Sequence, residues 1–557
     1  MLRRQTARGP PATNLLLTMN RSKSYIVVFV LLMVVGSLSL AIDIAAAQAI
    51  DWMRQFGTPF VDHASAVTTD RAGDIYVVGA TDGTFSGQIR AGGTQDAYVQ
   101  KFDPSGKAIW TRQFGSIGDD WARAVAVDHE DNVLVAGQAA EDTPGRSRVS
   151  GFGGAFVRKF GAGGDEIWMQ HFGIREFSTA NGVTVGLAGN VFVVGQIKGA
   201  LPGQTPSGGS DAFVRAYDKD GAELWTHQFG GEGLDTATAV TIGRDGEIYV
   251  VGSSQGELVV PGQPNQTFID AFVRKFDAAG SALWVRWIGT EKFAGVNAAT
   301  VDNAGNLYVA GWISGELTDQ KTAGGTDAFI RKYDADGQDL WTRQFGTPLE
   351  DRALGVGVDH AGNPYGVGWT RGVFPGQTGL GPRTNLVRRD AFMRKFDGRG
   401  NEIWTRQIGT GSPQSATGIT TTGDRIYVVG DTTGSLLGRV NLGVIDAFLL
   451  SLSSDAPFDS PLPTGSTSEA GPTTSSDTPF PSPLPATAPT EGPPPRGSCG
   501  VASPDTHDVP AAWVLTMLFG PGLLLARGSW PIRRIRQRGG SISSLHSRWD
   551  SLCSGIG

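Results

Sequence analysis

The sequence predicts an all-β protein, a ring of seven four-stranded antiparallel blades, and three observations support this prediction. A phrase of the type Asp-Ala-Phe recurs at intervals of 56 to 63 residues, beginning at Asp96, Gly154, Asp211, Asp270, Asp327, Asp390 and Asp446. A Trp in a context close to Trp-x-Arg-Gln-Phe-Gly recurs with the same spacing, at Trp52, Trp110, Trp168, Trp225, Trp284, Trp341 and Trp404. Each period also contains four short segments of strand character separated by turn residues. Seven such repeats are typical of a seven-bladed β-propeller.

The fifth repeat illustrates the four predicted strands, here called a, b, c and d. They are Val296 to Val301, Asn306 to Gly311, Ala328 to Asp334 and Leu340 to Gly346. The a–b and c–d turns read Asp-Asn-Ala-Gly and Asp-Ala-Asp-Gly, where Asp caps the turn and Gly tolerates positive φ. In a four-stranded meander these tight turns lie on one rim, and the longer b–c and d–a connections lie on the other.

The phase of the repeats predicts how the ring closes. The array begins on a strand d, Ile50 to Gly57, that has no strand c before it. It ends on a strand c, Asp446 to Leu452, that has no strand d after it, while strands a and b of that repeat are Ser415 to Thr420 and Arg425 to Gly430. Pairing the first strand with the last repeat removes two open edges. This phase favours a closed propeller over the main alternative, a solenoid.

The a–b hairpins have a recurrent motif. They read DRAGDIYVVG (Asp70 to Gly79), DNAGNLYVAG (Asp302 to Gly311) and DHAGNPYGVG (Asp359 to Gly368). With the Phe-rich strand c, this motif resembles the bacterial β-propeller repeat family SBBP over about Ile50 to Ser453. The resemblance implies an exported propeller and assigns no particular activity.

The N-terminal residues 1–49 are predicted to be a secretory signal peptide. Arg21 and Lys23 precede an apolar run from Tyr25 to Ala41, and Ala47-Gln48-Ala49 fits the small-x-small rule for cleavage. The mature chain would then begin at Ile50. The alternative is an uncleaved membrane anchor, because the apolar run is long for a signal peptide.

Beyond the repeats the composition changes twice. Residues 454–510 are rich in Pro, Ser and Thr, which predicts a disordered stalk. Residues 511–527 form an apolar segment, predicted to be a transmembrane or sorting segment, and 528–557 form an Arg-containing tail expected in the cytoplasm. Cys499, the apolar segment and the Arg cluster together resemble bacterial C-terminal sorting tails, in which such a Cys can be the processing or lipid-attachment point. We therefore expect export and membrane anchoring at the bacterial cell surface, with the propeller extracytoplasmic.

Composition and motifs favour no catalytic machinery. The chain has 557 residues and a net charge of −7, which gives no reason to expect a nucleic-acid partner. Its only cysteines, Cys499 and Cys553, lie outside the repeats, so the repeats must be stabilised by packing and hydrogen bonds. The histidines show no zinc-type spacing, and we expect no metal or cofactor. Ser254 lies in a Gly-x-Ser-x-Gly segment, but both glycines belong to the repeat template and no helix follows.

Departures from the template concentrate on the rim of long connections. Trp312 and Trp369 occupy equivalent positions leaving strand b of the fifth and sixth blades, where the other repeats have Ala80, Gln138, Gln196, Ser253 and Asp431. The next connection of the sixth blade adds Arg383, Arg388 and Arg389. Two Trp beside an Arg-rich loop predict a site that stacks on a sugar or holds an anionic ligand. The alternative is that these Trp fill gaps between blades.

These observations predict a non-enzymatic cell-surface propeller that binds a surface glycan or protein, or acts in adhesion. One alternative is an extracytoplasmic lyase or hydrolase with its site in the central funnel. Such an enzyme would need convergent acid, base or metal-binding residues that depart from the template. The other alternative is a purely structural surface protein.

Overall fold

A computed structural model describes residues 50–140, 153–173, 177–255, 269–289, 292–377 and 388–454. These residues form seven four-stranded antiparallel sheets and no helix, which confirms the predicted seven-bladed propeller. No helix long and apolar enough to cross a membrane is found in this part of the chain. The predicted signal peptide, the apolar C-terminal segment, its basic tail and nearly all of the stalk lie outside the described residues.

The first four blades each use consecutive strands in the order a, b, c, d. Blade 1 is β2 (Asp62–Thr69), β3 (Ile75–Thr81), β4 (Asp96–Phe102) and β5 (Ala108–Phe114). Blade 2 is β6 (Trp121–Val127), β7 (Val133–Ala140), β8 (Gly153–Phe160) and β9 (Glu166–Phe172). Blade 3 is β10 (Ser178–Val185), β11 (Val191–Ile197), β12 (Asp211–Tyr217) and β13 (Glu223–Phe229). Blade 4 is β14 (Thr236–Ile242), β15 (Ile248–Gln255), β16 (Ile269–Phe276) and β17 (Ala282–Ile288).

Blades 5 and 6 also use consecutive strands, but blade 7 takes its strand d from the N-terminal end of the described chain. Blade 5 is β18 (Ala294–Val301), β19 (Leu307–Ser314), β20 (Thr326–Tyr333) and β21 (Asp339–Phe345). Blade 6 is β22 (Asp351–Val358), β23 (Pro364–Thr370), β24 (Asp390–Phe396) and β25 (Glu402–Ile408). Blade 7 is β26 (Gln414–Thr422), β27 (Arg425–Thr432), β28 (Asp446–Ser453) and the N-terminal strand β1 (Ile50–Phe56).

Most of the tight turns are built on one aspartate. In the a–b turn of blade 1, Asp70 Oδ1 accepts hydrogen bonds from the backbone N–H groups of Ala72 (3.0 Å) and Asp74 (2.9 Å), and Gly73 takes φ +83°. The buried Lys101 of strand c pairs with the same carboxylate at 3.3 Å. Because these carboxylates are already satisfied by backbone donors and a lysine, the repeated Asp residues are structural.

The blades pack radially around a central channel. Strands a contact one another in a closed ring, with β2 touching β26, so they line the axis and strands d lie outermost. The rim with the a–b and c–d turns is called the turn rim below, and the opposite rim, with the b–c and d–a connections, the loop rim. On the turn rim, the Trp of strand d packs against a glycine of the next blade in six of the seven blades; Trp341, for example, packs against Gly400.

This Trp–Gly contact allows a matched test. Gly400 and Gly362 have nearly the same backbone, with φ +81° and +80°, but a Cβ at Gly400 would lie 2.8 Å from Trp341 whereas a Cβ at Gly362 meets nothing within 4 Å. We expect Gly362→Ala to cost about 1–2 kcal/mol from the left-handed backbone alone. Gly400→Ala should cost about 1–3 kcal/mol more because of overpacking. Urea unfolding of both variants measures the difference; equal losses would mean that the Trp341 contact is unimportant.

The N-terminal strand closes the ring as predicted. β1 pairs antiparallel with β28 over the register from Ile50↔Leu452 to Phe56↔Ala447. Gln55 Nε2 donates to Asp446 Oδ2 (2.7 Å) and to the Gly434 carbonyl (3.1 Å). In blade 1, where the chain is continuous, Gln113 makes the same two bonds, to Asp96 and Gly83. The closing strand therefore makes the full set of template contacts.

Both ends of the described propeller lie on the turn rim. β1 begins at Ile50, opposite Leu452 near the end of β28, where the other blades have their c–d turn. After β28, Ser454 takes a turn position, because its carbonyl accepts from Lys395 Nζ (2.8 Å) as the Lys219 carbonyl accepts from Lys159. The chain thus enters and leaves the propeller on the rim opposite the long connections.

Candidate ligand-binding site at the channel mouth

The loop rim is held by buried carboxyl–amide contacts. In blade 5, Gln344 Nε2 of strand d donates to Asp327 Oδ2 of strand c (2.8 Å) and to the Gly315 carbonyl (2.8 Å). Gln344 Oε1 in turn accepts the N–H of Leu317 in the b–c connection (3.0 Å). Four further blades repeat these contacts with Gln55, Gln113, Gln228 and Gln407. These hydrogen bonds fix the start of each of these b–c connections. Side chains at the loop rim are therefore presented by a rigid scaffold.

At this rim, strand a of each blade begins and strand b ends. One residue of each strand forms a pair here, and the seven pairs form a row at the channel mouth. The a↔b pairs, from blade 1 to blade 7, are His63↔Ala80, Trp121↔Gln138, Thr179↔Gln196, Thr236↔Ser253, Gly295↔Trp312, Arg352↔Trp369 and Ser415↔Asp431. Blades 3 and 4 carry only Thr, Gln and Ser in this row. The aromatic and charged side chains are confined to the other five blades.

Arg352 links the two tryptophans that the sequence singled out. Its guanidinium lies 4.4 Å from the ring centroid of Trp312 on blade 5 and 5.6 Å from that of Trp369 on its own blade. Trp312 is half-buried, whereas Trp369 is only 7% exposed. Arg352 Nε is buried, and no described atom accepts a hydrogen bond from it. The two rings thus hold a guanidinium group whose Nε–H can still donate a hydrogen bond to a ligand.

Two further guanidinium groups surround Trp369. Arg389 lies 5.3 Å and Arg371 5.9 Å from its ring centroid. Arg371 pairs with Glu350 at 3.1 Å. Burial lowers the pKa of Arg352, and Arg371 and Arg389 lower it further, although Glu350 acts in the opposite direction. Burial also lowers the pKa of Arg389, against the effect of Asp431. Mutual repulsion among these cations favours binding of an anion.

The row continues across the closing blade into blades 1 and 2. Asp431 of blade 7 pairs with His63 Nδ1 of blade 1 at 3.0 Å and accepts the Ala64 N–H at 2.9 Å. Burial opposes protonation of His63, but Asp431 raises its pKa above the usual value overall. The His63 ring stacks on Trp121 of blade 2 at 5.1 Å between centroids. The mouth arc is defined as Trp312, Arg352, Trp369, Arg371, Arg389, Asp431, His63 and Trp121.

The structure places three of the predicted ligand-binding residues in the mouth arc: Trp312, Trp369 and Arg389. The two tryptophans lie within strand b rather than beyond it, because pairing extends to Ser314 and Thr370. Trp369 is covered by guanidinium groups and exposes too little surface for a sugar to stack on it. Arg388 lies instead against Gly411, where an added Cβ would be 2.9 Å from Nη2. Arg383 and Cys499 lie outside the described residues.

The sequence analysis missed the strand-a members of the arc, Arg352, His63 and Trp121. The signal that could have found them was present, since the same comparison between repeats, applied to the start of strand a, gives His, Trp, Thr, Thr, Gly, Arg and Ser. The spacing of the histidines was considered only for a zinc site, and it gives His63 no role. Its contact with Asp431 depends on ring closure, so no local pattern shows it.

Ser254 has a structural partner. It is 2% exposed and donates a hydrogen bond to Asp235, as Thr81 does to Asp62 (2.6 Å) in blade 1. Across the described ranges, no group of three or more His, Cys, Asp or Glu side chains could hold a metal ion.

Comparison with known proteins confirms the repeat type. The family model SBBP, a beta-propeller repeat, matches residues 51–85 and 109–142. Both matches begin in strand d of one blade and continue through strands a and b of the next. The described propeller begins with the same strand, since β1 is a strand d. The Regulatory protein FlaEY of Caulobacter vibrioides is 28% identical over 214 residues, 35% of this chain and 22% of that protein. An uncharacterized WD repeat-containing protein, L264 of Acanthamoeba polyphaga mimivirus, is 22% identical over 70% of this chain and 36% of its own length. The chain therefore spans about a third or less of these relatives.

Solved structures show a likeness of fold alone. The polysaccharide lyase Uly1 is 13% identical, with 72% of this chain and 92% of that chain covered and a TM-score of 0.42. The Pan2 WD40 domain of Neurospora crassa is 11% identical, with coverages of 71% and 90% and a TM-score of 0.40. These similarities are too low to transfer a site or an activity.

Proposed function

For this propeller of SBBP repeats, we propose a non-enzymatic binding function in which the mouth arc holds an anionic surface glycan. The observation that carries the proposal is the group of three guanidiniums, Arg352, Arg371 and Arg389, around the single ring of Trp369. Carboxylate and sulfate groups of sugars fit the planar donor fork of arginine. Half-buried Trp312 offers the aromatic surface beside it.

The position of the chain ends supports the same function. Ile50 and Ser454 lie on the turn rim, so the chain enters and leaves the described propeller on the rim opposite the mouth arc. We propose export by the N-terminal segment and membrane anchoring by the C-terminal one. N-terminal sequencing of the purified protein from cells, with Ile50 expected as the first residue, tests the export step.

The charge of the arc predicts a defined loss of binding. Arg352→Met should weaken binding of a carboxylated or sulfated glycan about ten- to a hundredfold, because a charged hydrogen bond contributes about 1.5–3 kcal/mol. Added salt should weaken wild-type binding. A glycan array followed by titration of the best ligand measures both. Arg399→Met, which removes an exposed arginine on the turn rim, is the matched control and should bind normally.

Other outcomes separate the alternatives. Unchanged glycan affinity in both Arg352→Met and a Trp312→Ala/Trp369→Ala variant contradicts the site. A negative array with a positive pulldown of surface proteins replaces the glycan by a protein ligand. Negative results in both favour a structural role. Turnover of a polysaccharide or glycoside panel replaces the binding module by an enzyme.

A further inference from the structure

A β-bulge near the middle of every strand a places one extra residue on the axis of the propeller. The pairing of strands a and b skips one residue in each blade; in blade 2, Ala122 pairs with Gly137 and Ala124 with Ala136. From blade 1 to blade 7 the skipped residues are Ser65, Arg123, Asn181, Thr238, Asn297, Leu354 and Thr417. Six of these seven side chains carry no charge.

Most of the uncharged bulge residues join one blade to the next. Asn181 Nδ2 donates to the Ala237 carbonyl (3.0 Å), and Asn297 Nδ2 donates to the Ala353 carbonyl (2.7 Å). Thr238 and Thr417 donate in the same way to the carbonyls of Val296 and Ala64, each at 2.6 Å. The template role of the bulge is therefore to bridge neighbouring strands a.

Arg123 departs from that role. It is exposed, although it lies on the innermost strand between its own strand b and the strands a of neighbouring blades. The solvent that it meets is therefore that of the central channel. Its guanidinium lies 5.5 Å from the ring centroid of Trp121, whose Nε1 donates to Ser65 Oγ (2.9 Å).

Among the described residues, no carboxylate pairs with this charge. No described Asp or Glu oxygen lies within 4.0 Å of the Arg123 guanidinium. Burial by the surrounding blades lowers the pKa of Arg123, and no charged neighbour contributes to this shift. A fixed charge enclosed by protein acts over a longer range than a charge on an open surface. Such a charge is stabilised by a counter-ion.

We propose that Arg123 forms an anion-binding site on the axis of the central channel, which takes an oxyanion group such as sulfate, phosphate or a carboxylate. The group is either a free ion or the acidic end of a molecule narrow enough to enter the channel. This site differs from the group of guanidiniums around Trp369, because Arg123 lies on blade 2 at the bulge of strand a, although the ring that it contacts, Trp121, also belongs to the mouth arc.

The experiment is isothermal titration calorimetry of the purified full chain in chloride-free buffer at pH 7. Sodium sulfate, sodium phosphate and sodium acetate test the free ions, and a sulfated monosaccharide tests the larger source. We expect one site that depends on Arg123, beside any binding of the same anions in the mouth arc, which Arg352→Met would remove. Arg123→Met should weaken binding at the Arg123 site at least tenfold, and Arg123→Lys, which keeps the charge without the planar fork, should weaken it less. Arg244→Met, which removes an exposed turn-rim arginine, should leave binding unchanged.

Two results overturn the proposal. One is the absence of any binding of these anions to the wild-type chain. The other is an anion affinity of Arg123→Met equal to that of the wild type. This includes the case in which only Arg352→Met loses anion binding, because the anion is then bound in the mouth arc. Urea unfolding confirms that Arg123→Met is folded; we expect its stability to equal or exceed that of the wild type in chloride-free buffer, because an unbalanced charge has been removed. An anomalous difference peak from selenate beside Arg123 in a soaked crystal is expected, and selenate found only elsewhere contradicts the site.

Discussion

Deleting Ile50 to Gly57 is expected to abolish cooperative folding of the propeller and to cause aggregation. The deletion removes strand β1 and exposes the edge of β28. It also removes Met53, which is 3% exposed and packs in one core cluster with Leu450 and Val428. Loss of a buried Met side chain alone costs about 2–5 kcal/mol. The total loss is therefore comparable with the whole stability of a typical domain.

A permuted variant is the control for this deletion. Residues Ile50 to Gly57, appended after Ser454 through a four-residue turn such as Asp-Ala-Asp-Gly, would make blade 7 continuous like the others. We expect this variant to fold, because Gln55 and Met53 regain their partners. Size-exclusion chromatography and thermal unfolding compare the three proteins. A deletion variant that stays monomeric with an unchanged unfolding midpoint contradicts closure by β1.

The propeller is expected to be more stable at pH 5 than at pH 8. Burial raises the pKa of Asp120 to about 7 and those of Asp270 and Asp351 to about 6. In the unfolded chain these carboxyls titrate near pH 3.9. The folded state therefore holds protons that the unfolded state has released, and this stabilisation is lost progressively as the pH rises from about 4 to about 7. Between pH 5 and pH 8 Asp120 alone accounts for about 3 kcal/mol, because its folded pKa lies about two units above pH 5 and each unit corresponds to about 1.4 kcal/mol.

Carboxyl pairs at the blade interfaces explain part of these raised pKa values. A Cβ placed on Gly346 would lie 2.4 Å from Asp327 Oδ1 and 2.8 Å from Asp351 Oδ2, so these oxygens are within about 5 Å of each other. Asp96 raises the pKa of Asp120 in the same way, although burial has the larger effect. The positions equivalent to Asp120 in blades 3 and 7 are Ser178 and Gln414, which shows that a neutral side chain fits there.

These positions suggest the decisive variant. Asp120→Asn imitates the protonated carboxyl, so it should reduce the difference in stability between pH 5 and pH 8 by about half. Asp270 and Asp351, whose pKa values lie about one unit above pH 5, account for the rest. Asp165→Asn, on an exposed turn, is the matched control and should behave like the wild type. Urea unfolding at both pH values measures the effect. A wild-type protein that is equally stable at both pH values, or a difference that is as large in Asp120→Asn as in the wild type, contradicts the prediction.

Most of the fold could be predicted from the sequence, because every blade repeats the same local chemistry. Asp70 and its equivalents mark the turns, and the Trp of strand d marks the outer strand. The observed strands are longer than predicted on the loop rim: strand a of blade 5 begins at Ala294 rather than Val296, and strand b ends at Ser314 rather than Gly311. Glycines at 295 and 311 have low strand propensity, but pairing with the neighbouring strand overrides it.

The candidate site was predicted only in part. Comparison of repeats identified Trp312, Trp369 and Arg389, because these residues break a template on one strand or its following connection. It did not identify Arg352, although Arg352 touches both tryptophans. The repeat assigns a position to each residue, but it does not show which neighbouring blade its side chain faces.

The sequence by itself determined the number of blades, their strand order and the phase that makes the first strand complete the last blade. These features follow from local turn chemistry and hydrophobic patterning, which recur in every repeat. Only the tertiary structure decided which side chains meet at the channel. Asp431 and His63 are separated by 368 residues and pair because ring closure sets blade 7 beside blade 1. Arg123 lies on a strand that lines the axis because strand a of its blade meets the strands a of both neighbouring blades. Both arrangements arise from contacts between blades, and such contacts have no counterpart within a single repeat.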